Sequence, residues 1–247
     1  MARFFVPQRD IVDGKARLQG GEFRHLQRVL RLREGDTVTL FDDAGIEHDG
    51  VILSLSPRVA TVRVTASAAP ARESPIAITL YQGIPKGRKL DLIVEKATEL
   101  GVVAIVPFVS TFGTASIGTA GGKRERWERI ALAAAKQSGR TSIPTIGETL
   151  TFPEVLTAAA ALERALLFFE DAGATPLPTP EPVTTPPKSA AIVIGPEGGF
   201  SADEVTRALN GGIIVCGLGP RILRTETAAL IATALVQARW GDLDGLR

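Results

Sequence analysis

Two apolar runs in the last quarter of the chain each end in a glycine-proline loop that leads to a helix start. Ile192-Val193-Ile194 enters Gly195-Pro196-Glu197-Gly198-Gly199-Phe200-Ser201, and Ile213-Ile214-Val215-Cys216 enters Gly217-Leu218-Gly219-Pro220-Arg221-Ile222-Leu223-Arg224-Thr225. A short apolar run bounded by glycine and proline reads as a buried strand passing into a loop. Ser201 and Glu204 have capping-box spacing, and Thr225 is placed to cap the last helix. In open α/β sheets, ligands bind at the carboxyl ends of the strands. The pair of loops therefore predicts one site built mainly from main-chain groups. Two tight strand-to-helix turns with no ligand are the plainer alternative.

The texture between residues 76 and 216 agrees with a mostly parallel sheet covered on both faces. Strands are predicted at Ile76–Gln82, Val102–Phe108 and Ala165–Phe169. Helices are predicted at Leu90–Leu100, closed by Gly101, at Lys123–Ser138 and at Phe152–Leu162. The last predicted helix, Glu226–Trp240, is apolar nearly all round and must be buried on most sides, by this chain or by a partner subunit.

Residues 1 to 66 differ. Thr37–Phe41, Val51–Leu55 and Val59–Val64 are short β-branched runs separated by Asp42-Asp43-Ala44-Gly45 and Ser56-Pro57-Arg58. Such strands suggest a small barrel. One helix, Glu22–Leu32, interrupts them. It would put Phe23, Leu26 and Leu30 on one side and Arg24, Arg28 and Arg31 on the other. That basic face is either solvated or an anion-binding surface. Ala66–Pro75 reads as a linker, so the division is 1–68 and 74–247. The segment 173–188, with six prolines, reads as a spacer.

Composition excludes several functions. A net charge of +1 argues against coating nucleic acid by bulk electrostatics, although it leaves room for a local basic face. One cysteine forbids an intrachain disulfide, and with two histidines it leaves no metal cluster. No apolar run reaches the ~20 residues of a membrane span. The apolar part of Met1–Pro7 is too short for a secretory signal, so a cytoplasmic setting is expected. The loops lack the G-x-G-x-x-G spacing of dinucleotide sites, and no acid ends the strand Ile213–Cys216. No glycine-lysine-serine or glycine-lysine-threonine triplet marks a P-loop.

GPEGGFSADE at Gly195–Glu204 and LGPRILRTETA at Leu218–Ala228 resemble the signature of the small-subunit ribosomal RNA uridine-N3 methyltransferases, members of the knotted SPOUT superfamily. RHLQRVLRL at Arg24–Leu32, the stretch Lys86–Val103 and WERIALAAAKQSGR at Trp127–Arg140 match further pieces in the same order. The resemblance implies a PUA-like β-barrel domain followed by a SPOUT-type α/β domain with a C-terminal trefoil knot. It implies a homodimer, S-adenosylmethionine as cofactor, and 16S rRNA or the small ribosomal subunit as partner, with no membrane and no metal. It carries the cofactor pocket onto Leu167, Gly195, Glu197, Gly198, Gly199, Leu218, Gly219, Ile222 and Leu223. It carries RNA binding onto Arg24, His25, Arg28, Arg31, Lys86, Arg88, Gln137, Arg140 and Arg221. A related enzyme acting on a ribose 2′-hydroxyl, or a non-catalytic ribosome assembly factor, are the other readings.

Methylation at N3 needs a proton removed and charge steadied on the uracil oxygens, and no protein nucleophile. Arg224 is the first candidate, because a guanidinium can donate two parallel hydrogen bonds to a carbonyl; a salt bridge to Glu197 or Glu226 is the alternative. Glu197 and Glu226 are candidate proton acceptors, or simply acids favoured near helix N-termini. Cys216 lies within a strand pattern and is expected to be a core thiol. The glycine- and threonine-rich loop 109–122 lacks the basic residue expected there by resemblance.

Overall fold

The computed structural model describes residues 2–113, 121–170 and 185–243. Most of the 173–188 spacer and the centre of the 109–122 loop lie outside the described residues. Packing divides the chain into two units, Met1–Glu73 with Ala135–Ile143, and Ser74–Ala134 with Pro144–Arg247.

The first unit holds strands β1 (Arg3–Phe5), β2 (Ile11–Val12), β3 (Lys15–Gln19), β4 (Thr37–Phe41), β5 (Glu47–Ser56) and β6 (Val59–Ala68). They form one sheet in the order β1-β4-β5-β6-β3-β2, antiparallel except for the β1–β4 pair. Alternate residues of each strand face inward, so Phe4, Leu18, Val38, Leu40, Ile52 and Val62 make a core with Phe23 and Leu26. The expected turn at Asp42 is present, since its Oδ1 accepts from the amides of Ala44 and Ile46, both at 2.9 Å.

Two expectations for this unit are corrected. The helix predicted over Glu22–Leu32 is a short α1 (Gly20–Arg24) that widens into a π-turn at His25–Val29. Arg31 lies beyond it with φ +52°, so Arg24, Arg28 and Arg31 do not share a helical face. Nor does the chain hang free at the predicted linker. Ala66–Ala68 belongs to β6, and Glu73 accepts from the amides of Thr141 and Ser142 at 2.9 and 3.0 Å.

The second unit contains β7 (Ala77–Gly83), β8 (Ala104–Val109), β9 (Thr145–Ile146), β10 (Leu150–Thr151), β11 (Arg164–Phe168), β12 (Ser189–Ile194) and β13 (Ile214–Cys216). They form a parallel sheet in the order β10-β8-β7-β12-β11-β13, with β9 on β8. The central strands are buried along nearly their whole length, as both covered faces require.

The described helices of this unit are α2 (Lys89–Glu99), α3 (Arg124–Ser138, its end counted with the first unit), α4 (Phe152–Ala160), α5 (Ala202–Asn210) and α6 (Thr225–Trp240). Tyr81, Phe108, Phe152, Leu167, Val193 and Phe200 share one core, in which the rings of Phe108 and Phe200 stack 6.3 Å apart. α6 packs against α2, β7 and β12, although the strand preceding it lies at the sheet edge beyond β11. The chain thus crosses the ends of β11 and β12 between Cys216 and Thr225. Among the described residues no helix is long and apolar enough to cross a membrane, and no group of acids, histidine and cysteine is placed to hold a metal.

Candidate active site

Because the sheet is parallel, the loops after β7, β11, β12 and β13 emerge at the same end. A side-chain cluster ties three of them, those after β7, β12 and β13, together. Gln82, fully buried in β7, donates through Nε2 to the Gly83 carbonyl at 2.8 Å, to the Thr225 hydroxyl at 2.9 Å and to the Gly195 carbonyl at 3.4 Å. The Thr225 hydroxyl in turn donates to the Gly195 carbonyl at 2.6 Å. Thr225 is therefore not the N-cap that its sequence position suggested. It is the first helical residue, Arg224 takes the cap position, and the hydroxyl is spent on the other loop. Gly83 meets the same loop so closely that a Cβ there would lie 2.6 Å from the Pro196 nitrogen.

The loops enclose a cleft of about 280 Å³, with a smaller recess of about 50 Å³ beside it. Phe168, Glu170, Leu223 and Ala228 face both spaces. Gly195, Pro196, Glu197 and Gly199 supply one wall of the cleft, and Ile222, Leu223, Arg224 and Thr225 the opposite one. Together the two spaces are at the lower end of the ~300–1,000 Å³ typical of small-ligand sites.

Lys89, on the first turn of α2, organises the charge. Its ammonium is 2.8 Å from Glu197 Oε1 and 3.6 Å from Glu226 Oε2. The amide of Lys86 adds hydrogen bonds to both Glu197 oxygens, at 3.1 and 3.2 Å. Burial works to raise the Glu197 pKa, but the hydrogen bonds from Lys89, from the residue's own backbone and from Lys86 outweigh it and hold the carboxyl below its ordinary value. The same partner raises the pKa of Lys89. Both Glu197 oxygens thus accept hydrogen bonds. Glu226 retains a buried Oε2 with no hydrogen-bond donor among the described residues.

Most of the pocket expected from the sequence converges here. Gly195, Glu197, Gly199, Ile222, Leu223 and Arg224 line the cleft, while Leu218, Gly219 and Arg221 line the recess. Leu167 and Gly198 line neither space. The side chain of Leu167 is fully buried in the core, because alternation along β11 turns Phe168 and not Leu167 towards the cleft. Gly198 faces Phe112, where a Cβ would fall 2.7 Å from the Phe112 Cβ. Arg224 is exposed and makes no ion pair among the described residues; Lys89 takes the acids that were its expected alternatives. Cys216 is fully buried, and burial pushes its thiol up to about 11, as a core position demands.

The RNA-binding candidates fall in both units. Arg24, Arg28, Arg31 and Gln137 are exposed in the first, with His25 half-buried against Phe4. Lys86, Arg88 and Arg221 are exposed in the second. Arg140 is corrected. It is 4% exposed and its guanidinium holds Glu73 Oε2 at 2.6 and 3.0 Å, leaving it unavailable to a phosphate.

Sequence reasoning missed Gln82, Gly83, Phe168, Glu170 and Ala228, and gave Lys89 no place at the cleft. The lone amide side chain of Gln82 at the end of the strand pattern Ile76–Gln82 and the acid just past β11 were the available signals.

Comparison with known proteins agrees with this architecture. A family model described as an RNA methyltransferase domain matches residues 72–237, and one described as an RNA methyltransferase PUA domain matches residues 18–65. The two units are thus those of an RNA methyltransferase with an attached PUA domain. Ribosomal RNA small subunit methyltransferase E of Bacillus subtilis is 34% identical over 89% of this chain and 88% of its own. The crystal structure of the protein of that name from Neisseria gonorrhoeae, bound to S-adenosylmethionine, superposes with a TM-score of 0.86 at 32% identity, covering 98% of this chain and 99% of that one. A Legionella pneumophila protein solved with the same cofactor gives a TM-score of 0.88 at 30% identity, covering 98% of both chains. The chain belongs to the ribosomal RNA small subunit methyltransferase E family.

Proposed function

We propose that this protein transfers a methyl group from S-adenosylmethionine to small-subunit ribosomal RNA, with N3 of a uridine as the acceptor. The observation that carries the reading is the cleft where two glycine-rich loops meet at one end of a parallel sheet, joined through Thr225 and Gly195. Its residues fit the cofactor. Gly195 and Gly199 present bare main chain to the cleft, and Phe168 and Leu223 supply apolar surface. When bound, S-adenosylmethionine supplies a methyl group already activated by a positive sulfur.

The chain's own residues perform the remaining tasks. Arg224 donates to a uracil carbonyl and offsets the negative charge that the ring gains as N3 loses its proton. Lys89 fixes Glu197 and the loop that carries it. Glu197 and Glu226, both held by the Lys89 ammonium, remain the candidate acceptors of the N3 proton. Arg24, His25, Arg28, Arg31, Lys86, Arg88, Gln137 and Arg221 remain the candidates for RNA contact in the cytoplasm.

The reading includes a homodimer and the trefoil threading of the C-terminal segment. Ile231 and Leu235 on α6 are 43% and 41% exposed, an apolar surface that a second copy would cover. The crossing from the edge strand β13 to α6 over neighbouring strand ends supports the threading.

Nucleoside mass spectrometry of ribosomal RNA from a deletion strain tests the substrate. Loss of 3-methyluridine, restored by the wild-type gene, is expected. Loss of a 2′-O-methyl nucleoside instead would transfer the reading to the ribose, and an unchanged nucleoside profile would leave an assembly factor.

A further inference from the structure

Four residues, Phe168, Glu170, Leu223 and Ala228, border both the cleft and the recess beside it. They therefore mark the junction of two adjoining compartments. Three of the four are apolar, and Glu170 alone brings a charged acceptor to the junction. The recess beyond it carries Phe169 and Leu218, a setting for a flat aromatic base. The cleft on the other side carries Lys89, Glu197 and Arg224, a setting for charged groups and for the incoming RNA base. S-adenosylmethionine has an adenine at one end, a charged sulfonium amino acid at the other, and a ribose between them. Matching polarity at both ends puts the ribose at the junction.

We propose that Glu170 is the ribose-binding group of this site, its carboxylate accepting hydrogen bonds from the 2′- and 3′-hydroxyls. The proposal rests on the reading of the cleft as an S-adenosylmethionine site and adds the group that recognises the sugar. Two further observations support it. Among the described residues no donor or cation occupies the Glu170 carboxylate, so its lone pairs are open. Gly199, with φ +66°, lies against it, and a Cβ there would come 2.7 Å from Glu170 Oε1. A larger residue at 199 would push the carboxylate from the junction. An acid just past the carboxyl end of a parallel strand is also the general answer to a ribose in dinucleotide-binding sheets. Here it follows β11, whereas the strand Ile214–Cys216 ends without one.

Calorimetry with the full-length protein tests this without turnover. The probes are S-adenosylhomocysteine, its 2′-deoxy and 3′-deoxy analogues, and 5′-methylthioadenosine, which keeps the ribose but lacks the amino acid. For the wild type, each deoxy analogue should bind about 10-fold more weakly than S-adenosylhomocysteine. E170A should weaken S-adenosylhomocysteine and 5′-methylthioadenosine alike, by about 10- to 100-fold, and should erase the penalty of the deoxy analogues. E170Q, which keeps one acceptor oxygen, should fall between. Glu170 is exposed, so the variants should fold, as circular dichroism will verify. Wild-type affinity in E170A, or an undiminished deoxy penalty, overturns the proposal. So does a loss confined to S-adenosylhomocysteine, which would put Glu170 on the amino-acid ammonium. A wild-type protein that binds none of the four probes overturns the reading of the cleft itself.

Discussion

The hydroxyl of Thr225 donates a 2.6 Å hydrogen bond to the carbonyl of Gly195, tying the first turn of the last helix to the loop after a central strand. Residues 30 positions apart are thereby held in one site, and Gln82 braces both from the next strand. The bond is buried, so removing the hydroxyl leaves the Gly195 carbonyl only the 3.4 Å contact from Gln82 and takes an acceptor from the Gln82 amide. Thr225→Val should lower stability by ~1–2 kcal/mol and weaken S-adenosylmethionine binding. Urea unfolding and calorimetry check the two effects. An unchanged affinity would mean that the loops hold their shape without this bond.

Gly83 allows the backbone of β7 to meet Pro196, and the nearest atoms to a built Cβ, at 2.5–2.9 Å, include main chain that cannot rotate away. Gly83→Ala should cost ~3 kcal/mol, the upper end for overpacking, and displace the Gly195–Gly199 loop. Thermal melting and cofactor affinity should therefore fall together.

The lowered pKa of Glu197 has a definite sign in pH dependence. A carboxyl whose folded pKa lies below its unfolded value of about 4.5 stabilises the fold above that value, and the contribution disappears as pH falls through the folded pKa. Glu197→Gln should therefore be less stable than the wild type at neutral pH, and the difference should narrow on acidification below about 4.5. Melting temperatures of both proteins across pH 3–7 measure it; a gap that does not narrow at all over that range contradicts the ion pair with Lys89.

Arg224 is exposed at the cleft with no carboxylate partner among the described residues, which leaves its guanidinium for the substrate. Arg224→Ala should reduce single-turnover methyl transfer at least ~100-fold with little change in cofactor affinity. An equal loss in both would make it a cofactor ligand.

Arg140 and Arg28 should separate cleanly. Arg140→Ala breaks a nearly buried pair whose acid is 31% exposed, and should destabilise the first unit by ~1–3 kcal/mol without altering the salt dependence of RNA binding. Arg28→Ala should leave stability unchanged and reduce the salt slope by about 1. Filter binding over a range of salt concentrations distinguishes them.

Local pattern made several features legible in the sequence. The capping box predicted at Ser201 and Glu204 forms as drawn, with the Glu204 amide donating to Ser201 Oγ at 3.2 Å and Glu204 Oε2 accepting from the Ser201 amide at 2.9 Å. Gly101 closes α2 with φ +85°. The apolar runs became central parallel strands because continuous hydrophobicity is what burial on two faces requires. The motif did not show that the Leu167 side chain would face the core or that Gly198 would meet Phe112, because a motif identifies a segment and does not say which way each residue in it faces. The basic helix face failed for a similar reason. A π-turn at His25–Val29 alters the angular spacing on which a helical projection depends.

The amino-acid sequence by itself determined the two classes of unit, the strand-to-helix loops and the family, because these rest on periodicity, glycine and proline placement and short-range capping, all properties of neighbouring residues. Only the tertiary structure decided that Lys89 belongs to Glu197 and Glu226, that Arg140 belongs to Glu73, and that Glu170 stands where two compartments meet. Those pairings join residues from distant parts of the chain. They depend on which strands lie side by side and on which charges lose their water, and neither is encoded in local spacing.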